Sequence, residues 1–313
     1  MNAWKKRTPL LLALCLMLGM VGCSNQPSGT DQSSGEQDAS DVSQSGASSA
    51  PEEAKPVLLV VSFGTSYHDS RDATIGAVEN ALQAAYPEYE VRRAFTSQII
   101  IDKLKERDGL EIDNVTEAME RLVADGVKEV VVQPTHVMSG YEYDDTVEEV
   151  SAFADQFDSL KLGKVLLAED ADYEALAAAI TEATQEYDQE GTAIVFMGHG
   201  TEHNANEAYA KLQQVLTDAG HDNYFIGTVE AAPTLEDVMA AVQASGATKV
   251  VLQPLMIVAG DHANNDMAGD EEDSWKSAFT AAGYEVECVL EGLGQIPAVQ
   301  DIIVAHCGQA IAG

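Results

Sequence analysis

Basic residues are scarce in this sequence. Its 17 lysines and arginines stand against 52 aspartates and glutamates, which gives a formal net charge of −35 at pH 7. A protein that binds nucleic acid needs a basic face for the phosphates, so this composition argues against a nucleic-acid partner. Strong acidity favours solubility and attracts cations, but it does not define a function.

Cysteines are also few. Cys15 and Cys23 lie near the start of the chain, and only Cys288 and Cys307 remain in the rest. No Cys-x-x-Cys pair occurs, so the usual zinc-binding cysteine cluster is excluded. An exported chain permits a disulfide between Cys288 and Cys307, but the sequence does not establish the geometry that a disulfide needs.

Common cofactor and hydrolase motifs are absent. The segments around Gly64 and Gly198-His199-Gly200 form neither a GxGxxG nor a Walker motif. We therefore expect no nucleotide cofactor. The nucleophile elbow GxSxG does not occur either.

The first 23 residues have the pattern of an export signal. Three basic residues precede an apolar run over residues 10–21, which is too short for a comfortable transmembrane helix. The ending Met-Val-Gly-Cys resembles a bacterial lipoprotein signal in which Cys23 is lipidated. We predict an exported protein, anchored through Cys23 to a membrane at its periplasmic or extracytoplasmic face. An ordinary signal peptide that contains Cys23 by chance is the alternative.

Residues 24–55 are rich in Ser, Gln, Gly, Asp and Ala and have almost no large apolar side chains. Such a segment cannot bury enough surface to offset the entropy of ordering, so we expect a flexible tether.

The remaining chain alternates apolar runs typical of buried parallel strands with segments of helical spacing. This alternation predicts an α/β fold with parallel sheets and helices on both faces. The predicted strands are residues 57–63, 89–94, 127–133, 160–167, 193–197, 224–229, 249–258 and 285–290. The predicted helices are residues 72–85, 97–106, 115–124, 146–157, 172–187, 207–219, 235–245, 275–282 and 296–311.

An internal repeat runs through this part of the chain. Residues 115–134 align with residues 235–254 at an offset of 120. The first strands also correspond, through Ser-Phe-Gly-Thr at 62–65 and Gly-His-Gly-Thr at 198–201. We predict two similar Rossmann-like halves with a cleft between them. The full division is a signal at 1–23, a tether at 24–55, an N-terminal half at 56–190 and a C-terminal half at 191–313.

Three candidate metal ligands follow predicted strand ends. His199 lies in Met-Gly-His-Gly-Thr, His262 lies in Gly-Asp-His, and Glu142 falls on the position of His262 at the same offset of 120. Because ligands of open α/β sheets bind beyond the carboxyl ends of the strands, these side chains can converge on the cleft. Two imidazoles and a carboxylate suit a divalent first-row metal and leave positions open for a substrate. Taken singly, each residue also has an ordinary explanation as a turn, loop or surface residue.

The other histidines carry less information. His136 falls inside an apolar strand, where a hydrogen-bonded core histidine is expected. His203 lies one helical turn after His199 and could be an accessory ligand, and His68 lies near the predicted cleft. We expect His221 in a loop and His306 on a helix surface.

Three motifs resemble the anaerobic sirohydrochlorin cobaltochelatases, which are ATP-independent class II chelatases like ferrochelatase. They are Val-Val-Ser-Phe-Gly-Thr-Ser at 60–66, Phe-Met-Gly-His-Gly at 196–200 and the segment at 254–276 that contains Ala-Gly-Asp-His-Ala-Asn-Asn-Asp. The third motif is long and specific, whereas the first two are short. The resemblance covers nearly all of residues 56–313.

The resemblance implies that a tetrapyrrole binds in the cleft and that Co²⁺, as the substrate metal, is inserted into sirohydrochlorin on the route to cobalamin. It implies that His199 and His262 are catalytic and bind the metal, and that Glu142 is a third metal ligand. We expect the flanking segments to contact the tetrapyrrole, through Ser62, Phe63, Gly64, Thr65, Gly198 and Gly200.

Metal insertion also releases two pyrrole N–H protons, and an imidazole can either bind a metal or accept a proton. We expect His199 to be the main base and ligand, with Glu142 carrying protons away. The substrate is polyanionic, and the candidates to bind its carboxylates are Arg71, Arg92, Arg93 and Lys276.

The export signal leaves two alternatives open. A transport lipoprotein that binds a metal, haem or another tetrapyrrole would need the same signal and tether. An iron or nickel chelatase would use the same donor set, which selects weakly among these metals. The sequence does not define the metal preference or whether the chain forms a homo-oligomer.

Overall fold

A computed structural model describes residues 54–313, which belong to one compact unit. The predicted signal, the Cys23 anchor and nearly all of the predicted tether lie outside the described residues. Within residues 54–313, no helix combines the length and the apolar character needed to cross a bilayer.

The first half of the described chain is built on a four-stranded parallel sheet with the strand order β2-β1-β3-β4. Its strands are β1 (Val57–Ser62), β2 (Glu90–Phe95), β3 (Glu129–Pro134) and β4 (Ser159–Leu162). Its helices are α1 (His68–Ala73), α2 (Ile75–Ala85), α3 (Gln98–Asp108), α4 (Val115–Ala124), α5 (Tyr141–Ser151) and α6 (Asp170–Ala183), with a 3-10 turn at Ala154–Gln156.

The second half has a second four-stranded parallel sheet with the order β6-β5-β7-β8. Its strands are β5 (Thr192–Gly198), β6 (Tyr224–Thr228), β7 (Lys249–Pro254) and β8 (Glu285–Cys288). Its helices are α7 (Glu207–Asp218), α8 (Leu235–Ser245), α9 (Trp275–Ala281) and α10 (Pro297–Ala312), with short turns at Asn204–Asn206, Ala263–Met267 and Leu293–Gln295. The predicted α/β fold with two similar parallel sheets is confirmed.

The repeat seen in the sequence is also a repeat in hydrogen bonding. In the first sheet Val61 pairs with Pro134, and in the second Met197 pairs with Pro254, so the two central strands have the same register. The helices α4 and α8 both begin with a capping box, in which the N-cap side chain and the third helical residue bond each other's backbone N–H. Equivalent positions in the two halves can therefore be compared residue by residue.

One shared core joins the two sheets. Alternate residues of each central strand face it, such as Leu58 and Val60 in β1 and Ile194 and Phe196 in β5. The other face of each strand packs into a separate core beneath its own helices. The last helix, α10, packs against α2 and α6 of the first half. The two halves are therefore held against each other by apolar burial.

Several element ends differ from those predicted. The helix α5 begins at Tyr141 rather than at the predicted Thr146. The prediction missed the first turn because it is acidic and shows no apolar spacing. Acidic side chains there, Glu142 and Asp144, interact favourably with the helix dipole. The strand β7 ends at Pro254 rather than Val258, since proline has no N–H to continue the ladder.

Neither described cysteine is paired. Cys288 is half-buried in β8, and Cys307 is buried in α10, where burial raises the pKa of its thiol to about 12. The disulfide that an exported chain would permit is not formed between them.

The expectation that His306 lies on a helix surface was wrong. His306 is 2% exposed, and its Nε2 lies 3.0 Å from Oδ1 of Asp172 in α6. The other oxygen of Asp172 accepts backbone hydrogen bonds from Ala168 and Glu169 at 2.9 and 2.6 Å. The helix α10 is apolar around most of its circumference, so its sequence does not mark a surface face.

The Asp172→Ala substitution is expected to lower the free energy of unfolding by about 2–3 kcal/mol, because it leaves the buried Nε2–H of His306 and two backbone N–H groups just before α6 without their acceptor. Urea denaturation of the purified protein measures this. The matched control is Asp170→Ala, which removes an exposed carboxylate from the same helical turn and should change stability little. Equal losses in the two variants would contradict a structural role for the buried pair.

Candidate metal centre

The strand β5 places His199 at the carboxyl edge of the second sheet, between two glycines. A Cβ atom at Gly198 would lie 2.2 Å from the ring of Tyr209. Gly200 has a φ of +85°, and a Cβ there would lie 2.8 Å from the backbone nitrogen of Ala231. The glycines thus allow the neighbouring loop and Tyr209 to pack directly against the backbone that carries the imidazole.

The ring of His199 is held in one tautomer. Its Nδ1 lies 2.7 Å from the carbonyl oxygen of Gly200. A carbonyl oxygen only accepts hydrogen bonds, so Nδ1 carries the proton. The lone pair of Nε2 is therefore free to bind a metal or accept a proton.

His262 is oriented in the same way by a carboxylate. It precedes a π-helical turn, Ala263–Met267, and its Nδ1 lies 2.8 Å from Oδ2 of Asp266. Since the carboxylate accepts this bond, Nδ1 of His262 carries the proton, and Nε2 has a free lone pair, as in His199. A carboxylate behind an imidazole fixes the ring and makes it a better metal ligand. Single π-helical turns are frequent at functional sites.

The two histidines and Glu230 form one cluster. The rings of His199 and His262 meet edge to face, with centroids 4.8 Å apart. Glu230 follows β6, and its backbone N–H donates to the carbonyl of His199 at 2.9 Å. One potential ligand atom from each of the three residues lies within 4.8 Å of the others. No other group of this kind occurs among residues 54–313.

Two imidazole nitrogens and one carboxylate oxygen suit Co²⁺ and neighbouring divalent first-row metals. Three protein ligands leave open coordination positions that a second ligand can fill. The histidines are half-buried and the carboxylate is exposed, so a metal held there is accessible from solvent. The arrangement can therefore hold a cation and pass it to another molecule.

Glu142, the third predicted metal ligand, is not part of this cluster. It lies exposed in the first turn of α5, on the first half of the chain. It acts electrostatically on Tyr209, whose phenol has a pKa raised mainly by burial, with a further increase from the charge of Glu142. The Tyr209 oxygen accepts a hydrogen bond from the backbone N–H of Gly200, next to His199. Since the charge of Glu142 acts on Tyr209, Glu142 lies near the His199 side of the metal cluster.

His136 follows β3 instead of lying inside it, and it is not the hydrogen-bonded core histidine that we predicted. Both ring nitrogens are buried without a partner. Burial lowers the pKa of its imidazole to about 4, against a smaller opposite effect of Glu142. The ring is therefore neutral at pH 7.

His203 and His68 are outside the cluster as well. His203 lies edge-on to Tyr141, with centroids 5.0 Å apart, and its Nε2 is 3.4 Å from Oδ2 of Asp144. The Nδ1 atom of His68 lies 3.0 Å from a guanidinium nitrogen of Arg71. His68 is held by a partner on its own helix, and His203 is held by residues of α5 in the first half.

The residues predicted to contact a tetrapyrrole all lie at the carboxyl edges of the two central strands. Ser62 and Thr65 are buried, Phe63 is 46% exposed, and Gly64 has a φ of +97°. Gly198 and Gly200 flank His199. All four basic candidates are paired with acids of the same chain: Arg71 with Asp72, Arg92 with Glu90 and Asp125, Arg93 with Glu79, and Lys276 with Asp270.

The sequence profile of the cobalt chelatase (CbiK) family matches residues 56–312. The chain belongs to this family. The sirohydrochlorin cobaltochelatase of Salmonella typhimurium is 44% identical over 257 residues, which covers 82% of this chain and 97% of that protein. The sirohydrochlorin cobaltochelatase CbiKC of Nitratidesulfovibrio vulgaris is 32% identical over 260 residues, covering 82% and 91%.

Solved chelatase structures share the fold of this cobalt chelatase family member. SirB from Bacillus subtilis with Fe³⁺ superimposes with a TM-score of 0.58 at 13% identity, over 83% of this chain and 96% of that one. The predicted family, fold and enzyme class are thus confirmed.

Glu230 is the residue of the cluster that sequence reasoning missed in this cobalt chelatase. It lies in Thr-Val-Glu after β6, outside the three recognised motifs, and its counterpart in the first half is not acidic. No local sequence pattern marked it. Its place follows from the strand order, because β6 is the neighbour of β5 and an acidic residue directly after β6 lies at the same sheet edge as His199.

Proposed function

We propose that this chain inserts Co²⁺ into sirohydrochlorin without a nucleotide. The observation that carries the proposal is the cluster of His199, Glu230 and His262, in which both imidazoles have Nε2 free. Further support comes from two relatives that are named sirohydrochlorin cobaltochelatases.

In this proposal the cluster holds the cation first. The two neutral imidazoles supply lone pairs, and Glu230 offsets part of the positive charge. The tetrapyrrole nitrogens then replace the protein ligands through the open coordination positions. Two N–H protons leave as one dication enters, so the charge of the tetrapyrrole is unchanged overall.

The protons need acceptors near the metal. Once the cation moves onto the tetrapyrrole, Nε2 of His199 has a free lone pair again and can take one proton. Glu142 is exposed on the other half of the chain and is well placed to pass a proton to water. We therefore assign Glu142 to proton removal and Glu230 to metal binding.

The test is an anaerobic assay with purified protein, sirohydrochlorin and Co²⁺, followed by visible absorbance. We expect repeated turnover without ATP. Equilibrium binding of the tetrapyrrole without metal insertion would contradict the proposal and would favour a transport lipoprotein. Faster insertion of Fe²⁺ or Ni²⁺ than of Co²⁺ would change the assigned metal.

We also propose that the protein is exported and anchored through a lipid on Cys23. The support is the basic and apolar pattern of residues 1–23 and the polar tether that follows. In cells that express the full chain, we expect the protein in the membrane fraction and the Cys23→Ser variant released from it. Recovery of an uncleaved wild-type chain in the cytoplasm would contradict export.

A further inference from the structure

The backbone turn that carries His199 is anchored by a buried tyrosine. Tyr209 belongs to α7, and its side chain is buried. The phenol oxygen accepts a hydrogen bond from the backbone N–H of Gly200 at 3.2 Å. Burial raises the pKa of this phenol, and hydrogen bonds from the backbone N–H groups of Gly200 and His199 act in the opposite direction. Both N–H groups of the turn are therefore directed at one phenol oxygen.

Gly200 connects Tyr209 to the imidazole of His199. Its N–H donates to the phenol oxygen, and its carbonyl oxygen accepts the proton on Nδ1 of His199 at 2.7 Å. The carbonyl can hold the imidazole in one tautomer only if the backbone of Gly200 keeps its orientation. Since glycine restricts its own backbone less than other residues do, the bond to Tyr209 supplies a restraint that the residue itself lacks.

The anchored turn also reaches Glu230. The carbonyl oxygen of His199 accepts the backbone N–H of Glu230 at 2.9 Å, so the hydrogen bonds of the turn join Tyr209 to two of the three residues of the metal cluster. His262 is oriented separately, through its direct bond to Asp266. The two imidazoles are therefore oriented by different means, a carboxylate for His262 and an anchored backbone carbonyl for His199.

The equivalent turn of the first half is built differently. The register of the central strands makes Ser62 the counterpart of Gly198. A Cβ atom at Gly198 would lie 2.2 Å from the ring of Tyr209, so a serine at this position leaves no room for a ring in the same place. The Ser62 hydroxyl instead accepts a hydrogen bond from Thr135 at 2.9 Å. The tyrosine anchor thus accompanies the turn that carries a metal-binding imidazole.

We propose that Tyr209 is a positioning residue of the metal centre, which holds the Gly200 carbonyl in place and thereby keeps the proton of the His199 imidazole on Nδ1. The lone pair of Nε2 then stays available for Co²⁺. Groups that orient a metal-binding imidazole change metal affinity by about tenfold to a hundredfold when they are replaced. The use of the cation rests on the proposed function, whereas the tautomer is a property of the chain alone.

The experiment compares Tyr209→Phe with the matched control Tyr224→Phe in the intact protein. Each variant keeps its ring and loses one buried phenol oxygen, and that of Tyr224 lies 3.0 Å from Oγ1 of Thr184, at the start of β6. Nitrogen NMR of ¹⁵N-histidine-labelled protein, at a pH where imidazoles are neutral, shows which ring nitrogen carries the proton. The His199 signal is assigned by its loss in His199→Ala. Tyr209→Phe is expected to give a mixture of both tautomers and to raise the Kd for Co²⁺ alone about tenfold in isothermal titration. Tyr224→Phe should match the wild type in both measurements.

A His199 imidazole that keeps its proton on Nδ1 in Tyr209→Phe would overturn the proposal, as would a wild-type imidazole with the proton on Nε2. Urea denaturation separates positioning from stability, because both phenylalanine variants lose a buried hydrogen bond. Equal losses of stability and of Co²⁺ affinity in the two variants would also overturn the proposal. None of these measurements uses sirohydrochlorin. If the wild type inserted no metal while Tyr209→Phe showed the mixed tautomer and the weaker Co²⁺ binding, the positioning role would stand and only the proposed function would be contradicted.

Discussion

Replacing His199 by alanine is expected to lower the rate of Co²⁺ insertion at least about a hundredfold, while the protein still folds. The substitution removes a free Nε2 that both binds the cation and accepts a pyrrole proton. It leaves the glycines on either side in place. The rate is measured by visible absorbance with sirohydrochlorin and Co²⁺, and circular dichroism reports the fold.

The matched control for this variant is His221→Ala. His221 packs edge-on against Tyr224 at the start of β6 and is not part of the metal cluster. Its replacement should leave the insertion rate close to that of the wild type. A wild-type rate in the His199→Ala variant would remove this imidazole from the mechanism.

The second prediction separates the two carboxylates. Glu230→Gln is expected to raise the Kd for Co²⁺ about tenfold to a hundredfold, because the cluster loses its only negative ligand. Losses of this size follow even when a residue that only supports a metal ligand is replaced. Glu142→Gln should leave this Kd unchanged and should lower the turnover number. Isothermal titration with Co²⁺ gives the affinities, and the absorbance assay gives the turnover.

The reverse result is equally informative. Glu142 is exposed, like Glu230, and both substitutions conserve size, so the pair forms its own control. If Glu142→Gln weakened Co²⁺ binding and Glu230→Gln did not, the metal would be held by Glu142. The sequence-based assignment of Glu142 as the third metal ligand would then replace the assignment of Glu230.

Much of the fold follows from local patterns. The strand β1 reads Val-Leu-Leu-Val-Val-Ser and is buried along its whole length, as a parallel strand covered on both faces must be. The repeat at an offset of 120 predicted two similar sheets, because equal apolar patterns form equal layers. The sequence also indicated His199 and His262, since both follow apolar strands. The structure confirms that their rings lie together.

The remaining features depend on contacts between distant segments. Glu230 joins the cluster because β6 is the neighbour of β5, and strand order is not written in any local pattern. His306 is buried because α10 returns to pack on α6, where Asp172 accepts its N–H. The helix α5 begins early because its acidic first turn interacts with the helix dipole, which apolar periodicity does not detect.

The most direct test of the account is a single-turnover transfer. Wild-type protein is loaded with one equivalent of Co²⁺, freed of unbound metal, and mixed with sirohydrochlorin under anaerobic conditions. We predict that the bound cobalt moves completely onto the tetrapyrrole, and that the Glu230→Gln variant, which retains less metal, transfers correspondingly less. Cobalt that stays on the protein, with insertion only after free Co²⁺ is added, would contradict the claim that this cluster delivers the metal.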